Sequence, residues 1–265
     1  MLFTILFDAA AAPTQSGIPM TRNLIYWLIQ QYGADNEAAG PWFLILGVFL
    51  CAVVAYLLGS VSPILLYCRI RYHEDIRTLG NRRADAFNVY LVYGLKDALL
   101  CMISDILLSL LAVFAGLLLM AQDGAAIAFF FCVLGHIFPA YFKFRGGLGI
   151  TCMVFAPLLL NLPTFFIMLG FFAMTMLLAR YYTLSSVMYA LILPLFLRAF
   201  CKNQFYADWY LYMSLLNMVF AIVMQWKDLN AMLKGQGVRF DIGKKHIPLK
   251  QQEATAPPKE GKHRD

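Results

Sequence analysis

Apolar stretches long enough to matter to a bilayer alternate with short polar or basic segments along most of this chain. Seven can be drawn, over roughly 42–67, 97–121, 125–142, 150–161, 164–179, 184–201 and 209–226. The fourth is short, and Asn161-Leu162-Pro163 separates it from the fifth. Residues 150–179 are therefore either two full crossings or a tight re-entrant hairpin. Asp123-Gly124 and residues 202–208 supply turns between other spans. The pattern predicts an all-α, polytopic integral membrane protein of about seven transmembrane helices.

Three regions follow. Residues 1–41 form an external amino-terminal segment, in which Met20–Tyr32 reads as an interfacial amphipathic helix. Residues 42–240 make the seven-helix membrane domain, and residues 241–265 a basic, disordered tail. Composition agrees: hydrophobic residues make up 61% and charged ones 14%, and mean hydropathy is +0.68. The net charge of +6 is not a nucleic-acid signature, because no basic motif interleaved with aromatics occurs. It is a topology signal instead. If residues 68–96 face one compartment, all of the 21 Lys and Arg residues except Arg22, Arg198 and Lys202 fall on that side. The positive-inside rule makes that side cytosolic. An odd number of crossings then puts the amino terminus outside and the carboxyl terminus in the cytosol. The six cysteines are scattered without a CxxC pair and read as small buried hydrophobes, not as disulfides or metal ligands.

The residues with chemistry gather on the cytosolic face. In Leu134–Gly149 (LGHIFPAYFKFRGGLG) an apolar run stops at Lys143 and Arg145, followed by Gly146, Gly147 and Gly149. Glycines there permit positive φ and bring backbone N–H groups close to an anion, most simply a phosphate. His136 lies seven residues before Lys143, about two helical turns, so both can project toward one helix end. The plainer reading is a basic anchor followed by a glycine turn. The first loop, RIRYHEDIRTLGNRRADAFNV, holds Arg69, Arg71, Arg77, Arg82 and Arg83, whose guanidinium forks suit phosphate as well as marking topology. Asp105 is an ionisable group inside a span, either functional or paired with an arginine of that loop. Ser185-Ser186, after Arg180, offers hydroxyls at a span entrance or simply caps it.

Taken in order, Tyr56–Ser60 (YLLGS), Asp75–Arg77 (DIR), Asn88-Val89, Asp105–Leu107 (DIL), Leu134–Pro139 (LGHIFP) with Lys143-Phe144 and Gly146-Gly147, Arg180-Tyr181 with Leu184–Ser186, and Leu233–Gly235 (LKG) resemble the motifs of the bacterial PlsY-type acyl-phosphate:glycerol-3-phosphate acyltransferases. The resemblance spans about residues 50–240. It implies a seven-helix enzyme of the bacterial plasma membrane with its motifs on the cytosolic side. Such an enzyme transfers a fatty acyl group from acyl phosphate to glycerol 3-phosphate and yields lysophosphatidic acid for phospholipid synthesis. Neither a metal nor coenzyme A is implied; acyl phosphate is the co-substrate, and the bilayer is the other partner. Carried over by position, His136, Asn88 and Ser185 become the catalytic candidates. Ser60, Arg77, Arg82, Arg83, Lys143, Arg145, Gly146, Gly147 and Gly149 become the substrate and phosphate candidates, with Asp105 and Arg180 in support.

Several positions depart from that pattern. The loop SGNxGATN stands here as Asn81–Asn88 (NRRADAFN), and KGGKG as Arg145–Gly149 (RGGLG). The lysine after the intramembrane acid is Leu108, the arginine after the first loop motif is Leu91, and the final motif's His and Asn fall on Gln225 and Asp228. Ser62 is inserted before Pro63. Two function classes stay open at this point. One is an active acyltransferase in which Arg82, Arg83 and Arg145 replace lost cations. The other is a catalytically degenerate membrane paralogue that binds a phosphorylated lipid or a lipid-synthesis partner.

Overall fold

The computed structural model describes residues 24–25, 39–200 and 207–235. The interfacial helix expected over Met20–Tyr32 falls mostly outside them, as does the 241–265 tail; Leu24 and Ile25 are helical, and Ile25 is fully buried beside Cys51, Met120 and Ile127.

Helix α1 (Ala39–Ser60) carries the first apolar stretch but ends sooner than hydropathy suggests. Ser62 precedes a proline and is held extended (φ −98°, ψ 101°), which breaks the helix. Pro63 then opens α2 (Pro63–Tyr72), where no intrahelical N–H is required, and the Ser62 hydroxyl accepts from the Leu65 N–H at 3.5 Å. The expected 42–67 span is thus two helices. The loop that follows contains a 3-10 turn, Ile76–Thr78, and the short α3 (Ala86–Val92).

Helix α4 (Leu95–Ile137) is a hairpin, because Met120 (φ −137°, ψ 30°) and Ala121 (φ 53°, ψ −138°) leave helical geometry and reverse the chain. The reversal lies just ahead of the Asp123-Gly124 turn expected from sequence. Gly124 serves a different purpose: a Cβ there would sit 2.2 Å from the Gly116 carbonyl oxygen, so the two limbs touch backbone to backbone. Without a hydrophobic driving force between helices in lipid, such close approach supplies the packing energy.

After a 3-10 turn (Ala140–Phe142) come α5 (Ile150–Phe155) and α6 (Pro157–Leu160), separated at Ala156. Ile150–Leu160 together reach about 16 Å at 1.5 Å per residue, roughly half a hydrocarbon core. Asn161 caps α7 (Leu162–Ala179) through the Thr164 N–H at 3.0 Å. Residues 150–179 are therefore a half-length segment followed by one full-length helix. α8 (Tyr182–Phe200) and α9 (Ala207–Leu233) complete the bundle.

Four stretches are long and apolar enough to cross a membrane, namely Trp42–Tyr72, Leu95–Phe142, Leu162–Ala179 and Tyr182–Phe200, and the second contains the hairpin. Each of the seven predicted stretches has a helical counterpart, though not of equal length. Ala112, Val113, Ala125 and Phe129 of the hairpin pack with Met153, Met168, Tyr189 and Leu193 in the principal core. Leu107, Leu111, Phe166, Leu178, Leu195 and Val223 remain exposed. In water each would forfeit about 25 cal/mol per Å² of apolar surface, whereas lipid exacts no such cost. The chain is a multi-pass helical membrane protein.

Candidate active site

The polar segments at residues 61–94, 138–149 and 180–181 and the end of α9 meet at one end of the bundle. Arg77 stitches the first two together. Its Nε and Nη2 donate to Asp75 at 2.9 and 2.7 Å, while Nη1 donates to the carbonyls of Phe142 at 2.9 Å and Arg145 at 2.7 Å. The Arg77 guanidinium holds the Asp75 carboxyl below the usual carboxylate range, against a smaller opposing effect of burial. Arg77, expected to bind phosphate, spends its fork on the protein itself.

Asn88 is also committed. Fully buried, it accepts from the Asn81 N–H at 2.9 Å and donates to the carbonyls of Ile76, Leu79 and Arg83. Asp85 caps α3 by accepting from the Asn88 N–H at 2.7 Å. The catalytic candidate Asn88 is thus the residue around which the first loop is wound, with its amide saturated by backbone.

The glycine corner differs from expectation in the same way. Left-handed backbone falls on Lys143 (φ 60°) and Phe144 (φ 56°), and among the three glycines only on Gly149 (φ 67°). The Gly146 N–H donates to the Ile137 carbonyl at 3.2 Å and the Gly147 N–H to the His136 carbonyl at 3.1 Å. These donors, expected to cradle phosphate, satisfy the open carbonyls at the end of α4. A Cβ on Gly146 would lie 2.0 Å from the His136 carbonyl oxygen, and one on Gly147 2.3 Å from that of Ala84. Both glycines allow three backbone segments to touch. Lys143 lies beyond the helix end and is exposed, so it does not share a helix face with His136.

His136 is buried in the last turn of α4. Its Nδ1 lies 3.3 Å from the Cys132 carbonyl oxygen. A carbonyl can only accept, so Nδ1 carries a proton. Nε2 faces Asp105 Oδ1 at 3.7 Å across the hairpin, and neither atom has a hydrogen-bond partner. Asp105 therefore meets a histidine and not an arginine of the loop. Both residues line a small cavity of about 10 Å³ with Asp85, Thr151 and Tyr182. Asp85, Leu148 and Tyr182 also line a larger cleft of about 90 Å³, with Arg83 and Asp228 at its wall. Arg83 donates to Asp228 there, joining the first loop to α9. Phe87 stacks on Tyr182 with ring centroids 4.9 Å apart, fixing that loop over α8. Burial raises the Asp85 carboxyl above its ordinary pKa, partly offset by the Asn88 N–H.

The remaining candidates are spread around this site. Arg82 (φ 63°), Lys143 and Arg145 are exposed beside it, with no ion pair among the described residues. Arg180 is an exposed left-handed cap of α7. Ser60 is buried with an unpartnered hydroxyl at the end of α1, where Tyr56 donates to the Phe138 carbonyl at 2.8 Å. Ser185 is buried and bonds back to the Tyr181 carbonyl, while Ser186 donates to Gln225. Sequence reasoning missed Asp85, Tyr182 and Asp228 as cleft residues. Asp85 carried a signal, the D-x-x-N helix start, and Asp228 stood at a departed motif position; Tyr182 carried none.

The family model described as glycerol-3-phosphate acyltransferase matches residues 49–235. This chain belongs to that family. It is 36% identical over 146 residues to a glycerol-3-phosphate acyltransferase of Aliivibrio fischeri, covering 54% of this chain and 73% of that one. Its fold is similar to that of PlsY, an integral membrane glycerol 3-phosphate acyltransferase. The glycerol 3-phosphate form matches with a TM-score of 0.66 at 22% identity, over 73% of this chain and 96% of that one. The lysophosphatidic acid form matches with a TM-score of 0.63 at 20% identity, over 73% and 95%. Within the acyltransferase frame, several of the departures noted in the sequence line the cleft. Arg83 and Asp228 pair with each other, and Leu148 lines both cavities.

Proposed function

We propose that this chain is a glycerol-3-phosphate acyltransferase that takes its acyl group from acyl phosphate and yields lysophosphatidic acid and inorganic phosphate. The observation that carries this reading is the His136–Asp105 pair on a cavity adjoining a cleft walled by Arg83, in a member of this family. The family's name, and the PlsY crystal forms with glycerol 3-phosphate and lysophosphatidic acid, support the substrate and product.

The chemistry asks little of the protein, because acyl phosphate is an activated mixed anhydride. The glycerol hydroxyl oxygen attacks the acyl carbonyl carbon, the carbon–oxygen bond to phosphate breaks, and phosphate departs with the bonding electrons. His136 Nε2 takes the hydroxyl proton, and the imidazolium so formed faces the Asp105 carboxylate. Holding both substrates in one cleft supplies the larger share of the acceleration. Arg83, on releasing Asp228, is the cation positioned for a phosphate, and exposed Arg82, Lys143 and Arg145 draw anionic substrates to this end of the bundle. Asn88 and Arg77 act as positioning residues. No metal or coenzyme A enters the scheme. The basic bias of these loops sets this face in the cytosol, with the amino terminus outside, in a bacterial plasma membrane.

The test is turnover by purified protein with acyl phosphate and radiolabelled glycerol 3-phosphate, alongside His136→Ala. Radiolabelled lysophosphatidic acid and released phosphate are expected, with the variant slower by about 100-fold or more. Folded protein that forms no product above background across several acyl-chain lengths would overturn the reading.

A further inference from the structure

Read as sequence, the cysteines are inert fillers; two of them are not placed as fillers. Cys132 stands one turn before His136 on α4, and Cys152 sits on α5. One ligand atom from each of Cys132, His136 and Cys152 lies within 4.8 Å of the others. Both thiols are free and fully buried.

We infer that Cys132 Sγ, Cys152 Sγ and His136 Nε2 form a binding site for a thiophilic divalent ion of the zinc class, and that the ion switches the acyltransferase off. Three observations converge. The donor set, two sulfurs and an imidazole, is one that selects zinc over magnesium or calcium. His136 Nδ1 bonds the Cys132 carbonyl, the outer-shell bond that orients a ligating histidine and leaves Nε2 free. Nε2 is buried and has no hydrogen-bond partner, so its lone pair is open to an ion. A tetrahedral ion holds its ligand atoms about 3.5–3.8 Å apart, so the site closes with shifts of roughly 1 Å.

Charge explains why such an ion would be held here. Binding releases one proton from each thiol to solvent, and two thiolates neutralise the divalent ion, leaving no net charge among those three groups in the apolar bundle. The small cavity lined by His136 and Asp105 shares Asp85, Leu148 and Tyr182 with the larger cleft, so the site is approached from the histidine side. An ion on Nε2 occupies the lone pair that would take the substrate proton. The inhibition therefore rests on the acyltransferase reading, whereas the binding does not.

Full-length protein in detergent with a non-thiol reductant is titrated with Co(II), then with Zn(II). One Co(II) per chain is expected, with thiolate-to-cobalt charge-transfer absorption and visible bands of tetrahedral intensity, bleached by Zn(II). Cys132→Ala/Cys152→Ala should lose the charge-transfer band. X-ray absorption of the zinc-loaded natural chain, which requires no variant to fold, should count two sulfurs near 2.3 Å and a nitrogen near 2.0 Å. In the turnover assay zinc should inhibit the natural chain, a chelator should restore it, and the double variant should need at least tenfold more zinc for the same inhibition. Absence of sulfur from the zinc shell, or of the charge-transfer band in the natural chain, would overturn the site. Thiolate ligation without loss of turnover would overturn the switch. Thiolate ligation in a chain that never turns over would leave the site standing and remove the acyltransferase reading instead.

Discussion

At the scale of single residues, the most informative contrast is between two glycines. Gly146 lies against the His136 carbonyl and Pro139, whereas a Cβ on Gly170 in α7 would meet nothing within 4 Å. Gly146→Ala must push apart backbone that cannot yield, and should lower the melting temperature and disturb His136. Gly170→Ala should be neutral or stabilising by up to about 1 kcal/mol, the helix propensity gain of alanine. Thermal unfolding of both variants in the same detergent checks this. Asn88→Ala extends the logic: it strands several buried backbone groups and should cost at least about 2 kcal/mol. Asn88 stood out in the sequence by its motif, but its saturation by four backbone partners did not.

At the scale of elements, the two loops answer to Arg77. Arg77→Lys keeps the charge but cannot form a fork to Asp75 and also reach the Phe142 and Arg145 carbonyls. Faster proteolysis in both loops is expected, together with reduced turnover. Arg145→Ala leaves that stitch intact, because Arg77 bonds only its carbonyl. If Arg145 meets substrate phosphate, the variant should raise KM for a phosphorylated substrate by about 10- to 100-fold, the worth of a charge-assisted hydrogen bond, without faster proteolysis. The Asp75 carboxyl also predicts a pH response. Its pKa is lowered in the fold by Arg77, so its stabilisation is complete above the unfolded value of about 3.9 and fades as pH falls through the lowered one. Asp75→Asn should remove that part of the acid sensitivity, seen as a flatter stability profile below about pH 4.

At the scale of the whole molecule, topology is the quantity to measure. A reporter fused after Asp265 should be cytosolic, and one placed before Met20 external; both on one side would contradict an odd number of crossings. The helical class and nearly all span positions were legible in the sequence, because lipid leaves the backbone few choices and apolar length alone marks a crossing. The reversal at Met120-Ala121, the break at Ser62-Pro63 and the half-length Ile150–Leu160 were less so. They depend on which backbones approach each other, and hydropathy carries no such information.

By itself, then, the sequence determined the membrane class, the basic face and the family, since each is written in residue types and their order. The tertiary structure decided the assignments within the site. It committed Arg77, Asn88 and the glycine N–H groups to the protein's own backbone, set Asp105 opposite His136, and paired Arg83 with Asp228. It also brought Cys132 and Cys152, twenty positions apart, to the same histidine. The physical reason is common to all of these. A buried polar group takes whichever partner the packing brings within reach, and packing is a property of the folded bundle, not of any stretch of chain.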